Sequence, residues 1–222
     1  MSTSTSESSH GRNPLWAGIG ALAFSISTVA ALTIANSPGG NYSASQVTDY
    51  LASGHRIAVL VVMQLALVGL VGLIAMLAHF RDLLPAGTAR SAVWGTGVAS
   101  AGAFAVGWSI VGGQVIAHWE GGSAITIPLA VTYLISEVGS VLIYGVGALL
   151  LGCALIILML NTRGLLPSWL RWMTLAAGIA GIAGLAFITF YLLMLWGIVV
   201  GVWLVTRAAR SATPLAAPSA GV

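Results

Sequence analysis

Residues 172–205 read WMTLAAGIAGIAGLAFITFYLLMLWGIVVGVWLV, about 34 residues without one Asp, Glu, Lys or Arg. At ~1.5 Å per residue a single helix of that length would run ~50 Å, against ~30 Å of bilayer hydrocarbon. It is too long for one crossing, and two tight spans broken near Gly184 to Thr189 fit it. The rest of the chain has the same character. Of 222 residues, 58% are hydrophobic and 6% charged, with a mean hydropathy of +0.99. Soluble domains carry ~25% charged residues, and a fold of this size in water could not hide so much apolar surface.

Working outward, Asn161 to Arg171 is a polar turn around Pro167. Before it, Ile125 to Leu160 is again too long for one crossing. Pro128 sits near its start, so Ser123 to Thr132 is expected to lie on the membrane surface or re-enter it, with a span from Tyr133 to Leu160. Ala92 to Ala117, Ile57 to Ala78 and Leu15 to Ala35 supply three more spans. Leu15 to Ala35, about 21 residues long, exceeds the short core of a signal peptide and lacks a clean small-x-small cleavage site. His118 to Gly122 reads as a turn, and Ser45 to Ser53 as a short surface helix capped by Ser45. The polar segments 1–13 and 208–222 read as disordered cytoplasmic tails, flanking a six-helix domain over 14–207. The expected fold is therefore an all-α integral membrane bundle of about six transmembrane helices with a short outer surface or re-entrant segment.

Six spans with both termini cytoplasmic put Arg12, Arg81, Arg90, Arg163, Arg171, Arg207 and Arg210 inside and only Arg56 outside, as the positive-inside rule requires. A single final span would move Arg207 and Arg210 outside. The net charge of +3 comes from arginines scattered at helix ends, so it does not describe a nucleic-acid face. The expected partners are membrane lipids. Gly178, Gly181 and Gly184, and the pair Gly197 and Gly201, allow close helix approach, either within the bundle or toward a homo-oligomer or membrane protein partner.

Leu166-Pro167-Ser168-Trp169-Leu170-Arg171-Trp172, then Gly178, Trp196-Gly197 and Gly201-Val202-Trp203-Leu204, together with Leu83-Leu84-Pro85, resemble the bacterial family of small polytopic membrane proteins called domain of unknown function 4386. The resemblance implies a multi-pass protein of a bacterial inner membrane. It implies no activity and assigns no residue a role.

Ionisable groups inside a span are functional candidates by default, and Glu137 is the foremost. Tyr133, Glu137, Ser140 and Tyr144 share one helical face, which could line a cavity or proton path; the structural alternative has Glu137 solvated or paired with Arg56. Ser100, Gly107, Gln114 and His118 share a face of the third span, with Gln114 opposite Glu137. Gln64 is a third polar candidate. Asp49, His55, Arg56, His118, Glu120 and Glu137 all fall at the outer side. His55, His118 and Glu120 have the ligand types for a divalent metal, although their spacing matches no metal motif. His79 falls on the inner side, which opposes a haem held with His118. Walker and G-x-S-x-G motifs are missing, and the lone Cys153 is an ordinary buried thiol. No cofactor is expected, and no catalytic residue emerges. Three functions fit: a non-enzymatic structural or accessory membrane component, which the missing motifs favour; a small transporter or ion-coupled permease using Glu137; and a membrane-embedded enzyme or metal-binding protein using the outer His and acid group.

Overall fold

The computed structural model describes residues 14–35, 43–121, 127–184 and 188–212. Residues 1–13, 36–42, 122–126, 185–187 and 213–222 lie outside them. The described residues form an all-α bundle: α1 (Pro14–Ala35), α2 (Ala44–Leu51), α3 (Ser53–Leu83), α4 (Thr88–Gly121), α5 (Leu129–Ser140), a π-helical segment (Val141–Gly147), α6 (Ala148–Asn161), α7 (Ser168–Ile182) and α8 (Ile188–Ala212). The π segment joins α5 and α6 into one continuous helix. Five helical stretches are long and apolar enough to cross a membrane: 14–35, 54–83, 88–121, 129–161 and 188–211.

Several boundaries differ from the sequence reading. Ser43, not Ser45, caps α2, in a capping box with Gln46. His118 to Gly121 continue α4 rather than turning. Pro128 caps α5, so Leu129 to Thr132 are helical and belong to the long helix instead of an interfacial segment. Residues 208–212 extend α8 and are not tail. The charge-free run does break where expected, with α7 ending at Ile182 and α8 starting at Ile188. However, α7 has only 15 residues, ~22 Å, so the six-element pattern is built from five long helices and one short one.

The elements pack in a closed ring: α3 on α1, α1 on α8, α8 on α7, α7 on α6, α6 on α4, and α4 back on α3. Glycine lets the backbones meet at its joints. A Cβ on Gly20 would stand 2.5 Å from the Gly72 carbonyl oxygen, one on Gly152 2.5 Å from that of Gly178, and one on Gly18 2.9 Å from that of Gly201. Gly178, Gly181, Gly184, Gly197 and Gly201 all press on neighbouring helices of the same chain.

Aromatic rings fill the middle. Phe24 meets Phe104 at 5.7 Å, Phe104 meets Phe190 at 6.1 Å, and Tyr144 stands edge-on to Phe190 at 5.0 Å. Phe104 and Phe190 are fully buried, as are the aliphatic side chains of Leu73, Leu151 and Leu155. The outward faces are equally apolar: Ile57, Val61, Leu65 and Val68 form an exposed stripe on α3, and Leu134, Val138 and Val141 another that runs from α5 into the π segment. Water would penalise such stripes, whereas hydrocarbon accepts them.

The alternating helices sort the charges. Arg81, Arg90, Arg163, Arg171, Arg207 and Arg210 fall at the end of the bundle where α3, α6 and α8 finish; Asp49, His55, Arg56, His118 and Glu120 fall at the other. Trp16, Trp169 and Trp172 are exposed near the arginine-rich end and Trp119 near the opposite one, as interfacial indoles are.

Candidate functional site

α2 is amphipathic in miniature. Val47, Tyr50 and Leu51 are buried while Thr48 and Asp49 face out. It packs on α3 and α5, and the Tyr50 hydroxyl donates to the Val111 carbonyl at 3.0 Å. Val111 lies ten residues before the end of α4, ~15 Å along its axis. The short helix therefore seats its tyrosine well inside the end of the ring opposite the arginine-rich one. Burial pushes the Tyr50 phenol well above its ordinary 10.0, since the phenolate would be stranded in a low-dielectric site. Next to it, His55 Nε2 lies 3.2 Å from the Ala35 carbonyl oxygen, tying the start of α3 to the end of α1, and its ring stands edge-on to Tyr50. Gln46, Asp49, Tyr50 and His55 line a pocket of about 190 Å³.

The His and acid residues at this end of the bundle are not gathered on one centre. His55 is held by Ala35 and Tyr50, Arg56 lies over the Trp119 ring at 5.3 Å, and Glu120 is exposed. Among the described residues, no three His, Cys, Asp or Glu side chains come together as a metal would require, so His55, His118 and Glu120 do not assemble into the metal group the sequence allowed. His79 falls at the opposite end of the bundle from His118.

On α4, Ser100, Gly107 and Gln114 share the buried face that their seven-residue spacing predicts, with His118 half-buried at its end. Their partners differ from the expectation. Gln114 Nε2 donates to Ser136 Oγ at 2.9 Å, so Gln114 meets the residue before Glu137 rather than Glu137 itself. Thr132, Ser136, Gly139 and Ser140 form the face that α5 buries. Glu137 and Tyr133 sit half-buried at its flank, hydrogen-bonded to each other one turn apart. Gly107 and Gly139 bring the two helices close: a Cβ on Gly107 would lie 2.9 Å from the Gly139 carbonyl oxygen. Gln64 is exposed on the outer flank of α3.

The π segment was not foreseen. It lies in the middle of the long helix, where such segments commonly mark bends or functional sites. Ser100 Oγ donates to the Gly147 carbonyl at 2.7 Å, and Gly184, at the tip of the α7–α8 hairpin, presses on the Tyr144 carbonyl. Tyr144 stands edge-on to Phe190 in the core. The only signals in the sequence were Gly145 and Gly147 in an apolar run and a serine 47 positions away. No family profile, no curated protein and no solved structure matches the chain.

Proposed function

We propose that this chain is a multi-pass protein of a bacterial inner membrane, of the domain of unknown function 4386 type, with both termini cytoplasmic. We further propose that it acts as a non-enzymatic structural or accessory component. The apolar stripes on α3 and α5 support the membrane setting, and six arginines at one end against Arg56 at the other support the orientation. The observation that carries the functional reading is the aromatic column Phe24–Phe104–Phe190–Tyr144. It occupies the centre of the ring, where a transporter of this architecture would keep its midplane site. Gln64 and Gln114 border adjoining pockets around Ser109 and Gly113, and Glu137 lines neither, so the three do not line one path.

A second reading is favoured by the Tyr133–Glu137 pair, an ionisable group half-buried in a candidate span and followed within one turn by a π segment. It makes the chain a small proton- or ion-coupled permease using Glu137. One experiment decides between them. Purified protein in liposomes is tested for proton and ion flux, alongside Glu137→Gln and its melting curve. Flux no greater than in protein-free vesicles supports the accessory reading. A wild-type flux that Glu137→Gln abolishes without lowering the melting temperature replaces it with the permease.

A further inference from the structure

The last turns of α3 run toward the arginine-rich end of the bundle. Val71, Ile74, Ala75 and His79 there line a groove of about 390 Å³, shared with Trp16 of α1 and Trp94 of α4. From Val71 to His79 it extends ~12 Å along the helix. Its inner part is aliphatic. The three lining side chains with polar atoms, Trp16, His79 and Trp94, all stand toward the arginine-rich end. Trp16 is the third residue of α1, Trp94 the seventh of α4, and His79 lies in the last turns of α3.

An apolar groove on a membrane helix does not name its occupant. The charge at this rim does. Val71, Ile74 and Ala78 form one line along α3 that continues, at helical spacing, to Arg81. The Arg81 guanidinium carbon lies over the Trp94 ring, 5.3 Å from its centroid, and that ring walls the groove. The two arginines flanking the α3–α4 turn differ in their partners. Arg90 pairs with Asp82 at 2.9 Å, which neutralises both. Arg81 is half-buried, and among the described residues its partner is an aromatic ring rather than a carboxylate. A guanidinium lying over a ring keeps its N–H donors at its edge. No Asp or Glu lines the groove. Guanidinium and indole can only donate. The rim therefore offers donors and one uncompensated positive charge, and the interior offers hydrocarbon.

We propose that this groove binds an anionic phospholipid of the surrounding leaflet, one acyl chain lying along Val71, Ile74 and Ala75 and the phosphate meeting Arg81. Basic pockets between membrane helices hold acidic headgroups, and the planar guanidinium matches two phosphate oxygens at once. Indoles favour the depth at which a headgroup sits. A neutral lipid would leave the Arg81 charge without a counter-ion, and a zwitterionic one would bring a cation beside it. The volume is above the ~300 Å³ at which ligand pockets begin, which fits one chain while the second stays in the bilayer. The proposal rests on the membrane setting proposed above and is independent of the accessory role.

The test uses the full-length protein in phosphatidylcholine nanodiscs with a trace of phosphatidylglycerol carrying a diazirine on one acyl chain, and maps the adducts by peptide mass spectrometry. Adducts should concentrate at 71–79 and on the facing residues Ala17 and Trp94. Unlabelled phosphatidylglycerol should displace them several-fold better than phosphatidylcholine with the same chains. Ala75→Leu, which fills the groove, should abolish them. Arg81→Gln should lower the preference for phosphatidylglycerol about fivefold, the effect of one arginine at a membrane surface, and Arg81→Lys should keep most of it. Arg210→Gln removes an exposed arginine at the same end of the bundle and should leave the preference unchanged. Equal losses in Arg81→Gln and Arg210→Gln would make it a general effect of surface charge and overturn the proposal. So would equal competition by phosphatidylcholine, or a dimer that excludes the labelled lipid and that Ala75→Leu breaks, which would give the groove to a second copy. If Ala75→Leu fails to fold, the comparison of Arg81→Gln with Arg210→Gln decides. Adducts on the outward stripe at Leu134 and Val138 report bilayer insertion separately. Adducts there and none in the groove overturn the site alone, whereas adducts at neither overturn the membrane setting and the site with it.

Discussion

Gly72→Ala and Gly102→Ala make the same chemical change in two long helices, and their effects should have opposite signs. Gly72 sits against Gly20 where α3 crosses α1, at the most extensive helix–helix contact of the ring. A Cβ there meets the Gly20 backbone, with its carbonyl carbon at 2.9 Å and its oxygen closer still. The obstacle is backbone, which no rotamer change can move, so the helices must part by ~0.5–1 Å. A gap of that size forfeits a quarter to a half of the dispersion energy between the atoms it separates. Overpacking of this kind costs ~1–3 kcal/mol, and the helix-propensity gain from Gly to Ala returns at most ~1 kcal/mol. The net is a loss of ~0.5–2 kcal/mol. At Gly102 the new methyl meets nothing within 4 Å, so only the propensity gain remains, up to ~1 kcal/mol of stabilisation. Reversible unfolding in mixed micelles, titrated with denaturing detergent, reads both against wild type. Equal destabilisation by the two variants, or a stabilised Gly72→Ala, would refute the assignment of Gly72 to an internal joint and of Gly102 to an open face.

Three further substitutions test single contacts. Thr174→Val removes the acceptor for Trp196 Nε1, bonded at 3.0 Å across α7 and α8. It strands a buried N–H and should cost ~1–3 kcal/mol in the same unfolding assay, whereas Trp196→Phe with Thr174→Val should recover part of the loss. Ser100→Ala frees the Gly147 carbonyl at the end of the π segment and should lower stability by ~0.6–2 kcal/mol, the range for interhelical hydrogen bonds in membranes; faster amide exchange should be confined to 141–148. Tyr50→Phe tests the buried phenol. Its pKa is raised by burial, so the folded chain holds the proton where the unfolded chain releases it. The stability this gives is complete below the unfolded value near 10.0 and is lost as pH rises beyond it. Wild-type melting should therefore fall above about pH 10, and Tyr50→Phe should be slightly less stable at neutral pH and lack that extra alkaline loss.

The gross architecture was legible because lipid imposes it. Charge-free runs too long for one crossing must break, and the 172–205 run does break, between Ile182 and Ile188. Glycine content was legible as close packing, but which glycines face inward was not. Gly102 and Gly107 lie five residues apart on one helix, and only the fold decides that the first meets nothing and the second meets Gly139. The reach of α2 was half legible: the alternation of Val47, Tyr50 and Leu51 with polar neighbours marks an amphipathic turn. Its carbonyl partner at Val111, 61 positions away, leaves no trace in the sequence.

The polar face expected on the long helix is interrupted by the π segment, and the interruption has a geometric consequence. Tyr133, Glu137, Ser140 and Tyr144 align only if every residue advances the helix by the same ~100°. From Val141 to Gly147 the hydrogen bonds reach one residue further, so the turn is wider and each later side chain lags the regular series, by up to about one residue's rotation. Tyr133 and Glu137 precede that change and keep each other's company, while Tyr144 falls inside it and is delivered to Phe190. What permits the widening is tertiary: the Ser100 hydroxyl takes up the Gly147 carbonyl, and Gly184 leaves room for that of Tyr144. The Ser100 hydroxyl on α4 and the missing methyl of Gly184 thus accompany the widening in which Tyr144 meets Phe190. The Glu137 carboxylate stays toward the α2 end of the bundle with a tyrosine for a neighbour, and the centre of the ring is filled by packed aromatic side chains.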